Sequence, residues 1–215
     1  MRVNQCGWLL GAVVGLALTA SQASANLLAN SSFEDPVTSN GAPFVGSWEA
    51  FTIGAGASSV NSTLMPRTGA QHLNASINGL DNAFTGVFQD VEGLVPGQTG
   101  VFSAWHKTTT NPLDLVVEMR IEWRKVGQAA EVSRTANFLP VPTSDYTKFS
   151  LSAAVPAGAD TARVVYALQT FGGGPTNNGI VFVDDVSFVV PEPATLGLFG
   201  ATLISLIGMR RSRKG

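Results

Sequence analysis

The side chains able to do acid, base or metal chemistry are few and scattered. His72 and His106 are the two histidines, and neither sits in a metal-ligand spacing such as H-E-x-x-H. No G-x-S-x-G elbow and no glycine-rich phosphate loop occurs. Glycoside hydrolysis needs two carboxylates that meet only in three dimensions, so spacing cannot exclude it. Glu118 and Glu122 flank one strand face, but they alternate with Arg120 and Arg124 and read as a solvated charge ladder. Sugar binding instead needs aromatic planes flanked by polar groups. Trp48, Trp105, Trp123 and Tyr166 are the large candidates. The last two fall in apolar registers and are expected in the core. Trp48, behind a Pro- and Gly-containing loop, and Trp105, next to His106, are less constrained, and Phe171 edges a glycine loop at 172–179. Trp48, Trp105 and His106 are therefore the candidate ligand contacts, with packing as the competing and commoner role.

These residues lie in a middle segment whose composition differs from both ends. Between Asn26 and Val190 there are eight basic and fourteen acidic side chains, a net charge of −6. An acidic segment without a basic stripe repels polyphosphate, so nucleic acid is not an expected partner. The sole cysteine, Cys6, lies in a leader expected to be removed, which leaves no thiol for a disulfide or a zinc site.

Residues 1–25 have the parts of a secretory signal peptide: Arg2, an apolar run from Trp8 to Ala20, and small residues at Ala23 and Ala25, which predict cleavage by signal peptidase before Asn26. At the other end, Pro191-Glu192-Pro193 precedes an uncharged stretch, 194–209, and a basic tail at 210–215 with Arg210, Arg211, Arg213 and Lys214. Sixteen helical residues span about 24 Å against a hydrocarbon core of about 30 Å, so this helix is a marginal spanner. The basic cluster holds its end in the cytoplasm. A leader that starts the chain outward and a segment that stops it place the middle beyond the inner membrane.

Val190-Pro191-Glu192-Pro193-Ala194-Thr195, the short apolar helix and the arginine-rich end together resemble a PEP-CTERM sorting signal. The resemblance implies that Pro191, Glu192 and Pro193 are read by an exosortase, a membrane transpeptidase-like enzyme, and that the helix and tail are discarded. Two prolines forbid helix at the membrane edge, so the peptide there is extended, with Glu192 as its charged handle.

Strand signals dominate the middle: period-two alternation, β-branched and aromatic residues, and frequent turn residues. In 113–124, Leu113, Leu115, Val117, Met119, Ile121 and Trp123 share one face, and Asp114, Glu118, Arg120, Glu122 and Arg124 the other. Segments 148–155 and 161–169 alternate likewise, and 27–33, 48–53, 57–64, 70–76, 83–91, 98–107, 129–138 and 180–189 are further expected strands. So many strands bury their apolar faces only by stacking two sheets or closing a barrel.

The opening Asn26-Leu27-Leu28-Ala29-Asn30-Ser31-Ser32-Phe33-Glu34 and the closing Ile180-Val181-Phe182-Val183-Asp184-Asp185-Val186-Ser187-Phe188 resemble the first and last strands of carbohydrate-binding-module-like, galactose-binding-like jelly rolls. In several such modules a structural calcium ion joins these strands, and the resemblance places Glu34 and Asp184 at its ligand positions. Alternation also sets Asp184 on the face of Phe182, Val186 and Phe188, where a carboxylate needs a counter-charge such as a hard cation. Because Val181 and Val183 make the opposite face equally apolar, a shifted register with Asp185 inward, or with Asp184 solvated or paired with an arginine, stays open.

The expectation is an all-β protein: a jelly-roll-like β-sandwich ectodomain at 26–189, flanked by an N-terminal signal peptide and, at 190–215, a sorting signal with one transmembrane helix. Its expected role is that of an exported, non-enzymatic surface or extracellular-matrix protein, anchored transiently in the inner membrane, processed by an exosortase and associated with exopolysaccharide or biofilm. A secreted glycan hydrolase on the same fold is the alternative.

Overall fold

A computed structural model of the 215-residue chain describes residues 24–191. The predicted leader up to Ala23, and Glu192, Pro193, the expected helix and the basic tail, lie outside the described residues. Among those described, no helix is long and apolar enough to cross a membrane.

The described residues form ten strands: β1 (Glu49–Ile53), β2 (Ala57–Ser62), β3 (His72–Asn78), β4 (Phe84–Glu92), β5 (Thr99–Thr108), β6 (Val116–Arg124), β7 (Glu131–Arg134), β8 (Thr147–Ala154), β9 (Thr161–Gln169) and β10 (Asn178–Val189). They make two five-stranded antiparallel sheets, β1-β4-β9-β6-β7 and β2-β3-β10-β5-β8. The alternation read from the sequence decides which side of each sheet faces the other. Val117, Met119, Ile121 and Trp123 of β6 and Ala162, Val164, Tyr166 and Leu168 of β9 enter the core from the first sheet. Leu73, Ala75 and Ile77 of β3 and Phe102 and Ala104 of β5 meet them from the second. Each fully buried Leu, Ile or Phe contributes roughly 1.5–3 kcal/mol over its exposed state, so the shared interior holds the sheets face to face.

Two expected strands change. Residues 27–33 are not a strand, because Asn30 and Phe33 take left-handed conformations, φ 46° and 56°, which break an extended run. This segment instead reaches β10 by single bonds, Leu27 N–H to Phe188 O at 2.9 Å and Val186 N–H to Ser31 O at 2.8 Å. The expected 129–138 shortens to β7, beyond which Thr135 and Phe138 bond back to Ile121 and Met119 outside a regular ladder.

The two-sided apolar pattern of the closing strand is resolved by a β-bulge between Asp184 and Ser187, with Asp185 at φ 46°. Before it Val181 and Val183 point into the core; after it Val186 and Phe188 do. Asp184 thus shares the outer side with Phe182, and not with Val186 and Phe188 as strict alternation implies.

Candidate functional site

The outer face of the first sheet carries a row of phenylalanines. Phe84 and Phe88 are two residues either side of Gly86 on β4, and Phe51 of β1 lies over the gap, 4.9 Å from Phe84 and 6.2 Å from Phe88 between ring centroids. Phe44, delivered by a loop whose carbonyl accepts from Asp90 N–H, extends the row past Phe88 at 4.9 Å. Phe171 continues it past Phe84 at 5.6 Å. Gly86 is required here: a Cβ would stand 2.2 Å from Tyr166 O and 2.8 Å from the Phe51 ring.

Beside the aromatic row the strand order brings β9 and β6, whose outward residues are charged. Arg163 stacks its guanidinium on Phe88 at 4.1 Å and on Phe44 at 4.8 Å, held in place by a fork to both oxygens of Asp90 at 2.7 and 2.9 Å. Arg120 bridges Glu118 and Glu122, Arg124 bridges Glu122 and Glu131, and Arg134 closes the chain on Glu131. Glu118 also accepts from Asn137 and Gln169. Between the two rows is a hollow of about 240 Å³ lined by Phe51, Phe84, Phe88, Arg120, Arg163 and their neighbours.

The charge ladder is therefore not solvated, as its alternation suggests: Glu118 and Glu122 are only 3% and 4% exposed. The arginine stems and the returning chain at 135–138 cover it. Burial draws the Glu122 carboxyl upward, but the hydrogen bond from Arg124 and the charge and hydrogen bond of Arg120 outweigh it and hold its pKa below the ordinary value. A general acid of a glycosidase needs the opposite shift.

The other sequence-predicted residues lie elsewhere. Trp48 is 1% exposed, packs on Phe33 at 5.2 Å and donates its indole N–H to Asn30 O at 3.0 Å. His106 is fully buried, with Nδ1 2.5 Å from the Tyr166 hydroxyl, and burial lowers its pKa to about 4. The ligand-contact reading of these two is corrected: both are core, where no ligand reaches them. Trp105 is half-buried, and the Arg67 guanidinium lies 3.8 Å from the centre of its ring, where a sugar would stack. Trp123 and Tyr166 are buried as expected.

Glu34 and Asp184 close on one loop. Asp184 Oδ2 accepts from the N–H groups of Arg67 and Thr68 at 2.7 and 3.0 Å, and its Oδ1 from Asp185 N–H at 2.8 Å. Glu34 accepts from Ala70 and Gln71 N–H groups at 3.1 and 3.2 Å. Gly69 lies between them at φ 61°, where a Cβ would fall 2.0 Å from the Glu34 carboxylate. Burial raises the Asp184 pKa above its ordinary value, which the N–H bonds only partly offset. Among the described residues, no group of three or more His, Cys, Asp and Glu is placed to hold a metal ion.

Two stacked five-stranded antiparallel sheets of this kind are also the fold of solved carbohydrate-binding-module β-sandwiches to which the chain is similar. The chain is similar, at 16% identity and TM-score 0.53, to the CBM22-1 xylan-binding domain of Xyn10C from Paenibacillus barcinonensis, covering 81% of this chain and 100% of that one. It is similar to a CBM4 structure at 17% identity and TM-score 0.52, covering 75% and 98%. The enzymatically active domain of tailspike protein 4 of bacteriophage CBA120 shares the fold at 15% identity and TM-score 0.59, over 77% of this chain; the chain spans only 21% of that domain. Residues 189–214 match the PEP-CTERM protein-sorting motif, as the Pro191-Glu192-Pro193 pattern implies. No curated protein matches the sequence.

Of the groove residues the sequence singles out Phe171 and the Glu118–Arg124 ladder, but not Phe44, Phe51, Phe84 or Phe88. Phe51, Phe84 and Phe88 looked like ordinary strand residues; the available signal was their wrong phase, since they alternate against Thr85 and Val87, which face inward.

Proposed function

We propose that this is an exported, non-catalytic protein whose β-sandwich binds polysaccharide along the Phe44–Phe171 groove, and which an exosortase sorts to the cell surface or extracellular matrix. In the full reading, signal peptidase removes residues 1–25, 26–189 is the ectodomain, and the apolar segment 194–209 holds the chain in the inner membrane until Pro191, Glu192 and Pro193 are read. Association with exopolysaccharide or biofilm is part of this proposal.

The observation that carries it is the pairing of a continuous aromatic row with a row of forked polar groups. Ring faces offer stacking to the C–H faces of sugars, and the guanidinium and carboxylate edges offer hydrogen bonds to hydroxyls. Every charge named in the groove has an opposite partner: Asp90, Glu118, Glu122 and Glu131 against Arg120, Arg124, Arg134 and Arg163. Such a surface favours an uncharged glycan over a polyanion. The carbohydrate-binding modules of the same fold support the reading.

Affinity electrophoresis on neutral polysaccharides, xylan first, tests it. Retention is expected, weakened by roughly two- to tenfold on Phe88→Ala, because ring stacking of this kind is worth about 0.5–1.5 kcal/mol per aromatic. Equal retention of the variant refutes the groove, and hydrolysis abolished by Glu118→Gln refutes the non-catalytic reading. A structural calcium ion at Glu34 and Asp184 belongs to the proposal with its own test: Ca²⁺ added to chelated protein raises Tm, and an unchanged Tm removes the ion from the reading.

A further inference from the structure

The first residues after the expected leader and the last before the sorting motif are tied to each other. Asn26 stands in for a neighbouring strand: its Nδ2 donates to Val186 O at 3.0 Å and its Oδ1 accepts from Phe188 N–H at 3.0 Å. Leu27 N–H donates to Phe188 O at 2.9 Å, and Ser24 Oγ–H to Val190 O at 2.8 Å. The chain offers no spacer beyond these contacts. β10 ends at Val189, and Val190 alone separates it from Pro191. Phe188 is wholly buried, Val189 and Val190 are half-buried, and Pro191 is the first exposed residue.

An enzyme that cuts or transfers a peptide binds it extended, adding the partner groups that a neighbouring strand would otherwise supply. Upstream of this motif those groups are engaged on both sides: β5 pairs Ser187, Phe188 and Val189 with Ser103, Phe102 and Val101, and residues 24–27 cover the other edge. Resting on the sorting reading above, we propose that this N-terminal clasp limits access to the sorting motif, with Asn26 as its chief positioning residue: the exosortase acts on the edge of β10 that the clasp uncovers when it lets go, the other edge staying paired with β5. The clasp also orders the two processing steps. Ser24 precedes the expected cleavage between Ala25 and Asn26, so loss of the leader removes the hydroxyl that holds Val190 O and leaves Asn26, Leu27 and Ser31 to hold that edge.

Pulse–chase of the full chain in exosortase-bearing cells, with the C-terminus followed by mass, tests the proposal. Asn26→Ala deletes two bonds to β10 and is expected to speed loss of the tail roughly tenfold, from the typical worth of two hydrogen bonds. A Gly-Ser-Gly-Ser insertion between Val190 and Pro191 leaves the clasp and the fold intact, and is expected to speed it at least as much. A spacer variant processed at the wild-type rate or more slowly overturns the clasp. A strain without exosortase separates this failure from that of sorting itself: tail loss there, or wild-type chain still ending at Gly215 in the strain that has the enzyme, removes the sorting reading.

Discussion

Stability between pH 7 and pH 5 is expected to be governed by two histidines that stay neutral in the fold. His72 and His106 are fully buried, and each has its pKa lowered from 6.5 to about 4, His72 by burial and then by the charge of Lys107, His106 by burial. Both ring nitrogens of His72 and Nε2 of His106 are without a hydrogen-bond partner among the described residues, so nothing near them welcomes a proton. The unfolded chain therefore binds protons that the folded chain refuses between pH 6.5 and pH 4, and stability is present above that window and lost on descending through it. From pH 7 to pH 5 the loss is roughly 2 kcal/mol per histidine, roughly 4 kcal/mol for the pair. Carboxylates with lowered pKa, such as Glu122, act mainly below this range, and Asp184, whose pKa is raised, acts in the opposite sense as it protonates. Urea unfolding at both pH values measures the difference. His72→Leu, close in volume and set against the Phe182 ring at 4.7 Å, is expected to halve it. A wild-type stability that does not fall from pH 7 to pH 5, or a His72→Leu protein with the full wild-type slope, would refute the reasoning.

Arg120→Ala leaves Glu118 and Glu122 buried beside a missing cation, an expected cost of about 3–5 kcal/mol that equilibrium unfolding would register. Arg120→Lys, which keeps the charge but loses the fork, should fall between it and wild type. Gly86→Ala drives a methyl group against Tyr166 O and the Phe51 ring, an expected cost of about 1–3 kcal/mol or more with loss of glycan retention, read by Tm and affinity electrophoresis together. Gly172→Ala, with nothing within 4 Å of its Cβ, is the matched control and should leave both unchanged.

The β-sandwich was legible because its signal is local and repeated. Leu73 through Ile77, Phe102 with Ala104, and Val117 through Trp123 each alternate in the sequence as they do in the sheets. The opening segment was not legible, since the turns at Asn30 and Phe33 need left-handed backbone that residue types alone do not announce. The groove was hidden for a different reason. Its aromatics come from β1, β4 and two loops, its charged side from β6, β7 and β9, and the strand order that joins them is a property of pairing, not of spacing. Large tryptophans drew the eye to Trp48, while smaller phenylalanines line the surface. The sorting motif needed no tertiary contact and was readable from its order of parts.

The bulge in β10 gives the closing strand one residue more than its core face needs, in a way its apolar composition conceals. Deleting Asp184 or Asp185 would leave Val181, Val183, Val186 and Phe188 on one side of a regular ladder, so the extra residue serves the neighbouring loop, where Asp184 accepts from the N–H groups of Arg67 and Thr68 and Asp185 pairs with Arg67. Sequences that diverge from this one should keep or lose the bulge together with that loop, whereas a single insertion or deletion elsewhere between Val181 and Phe188 would turn half of these core residues outward.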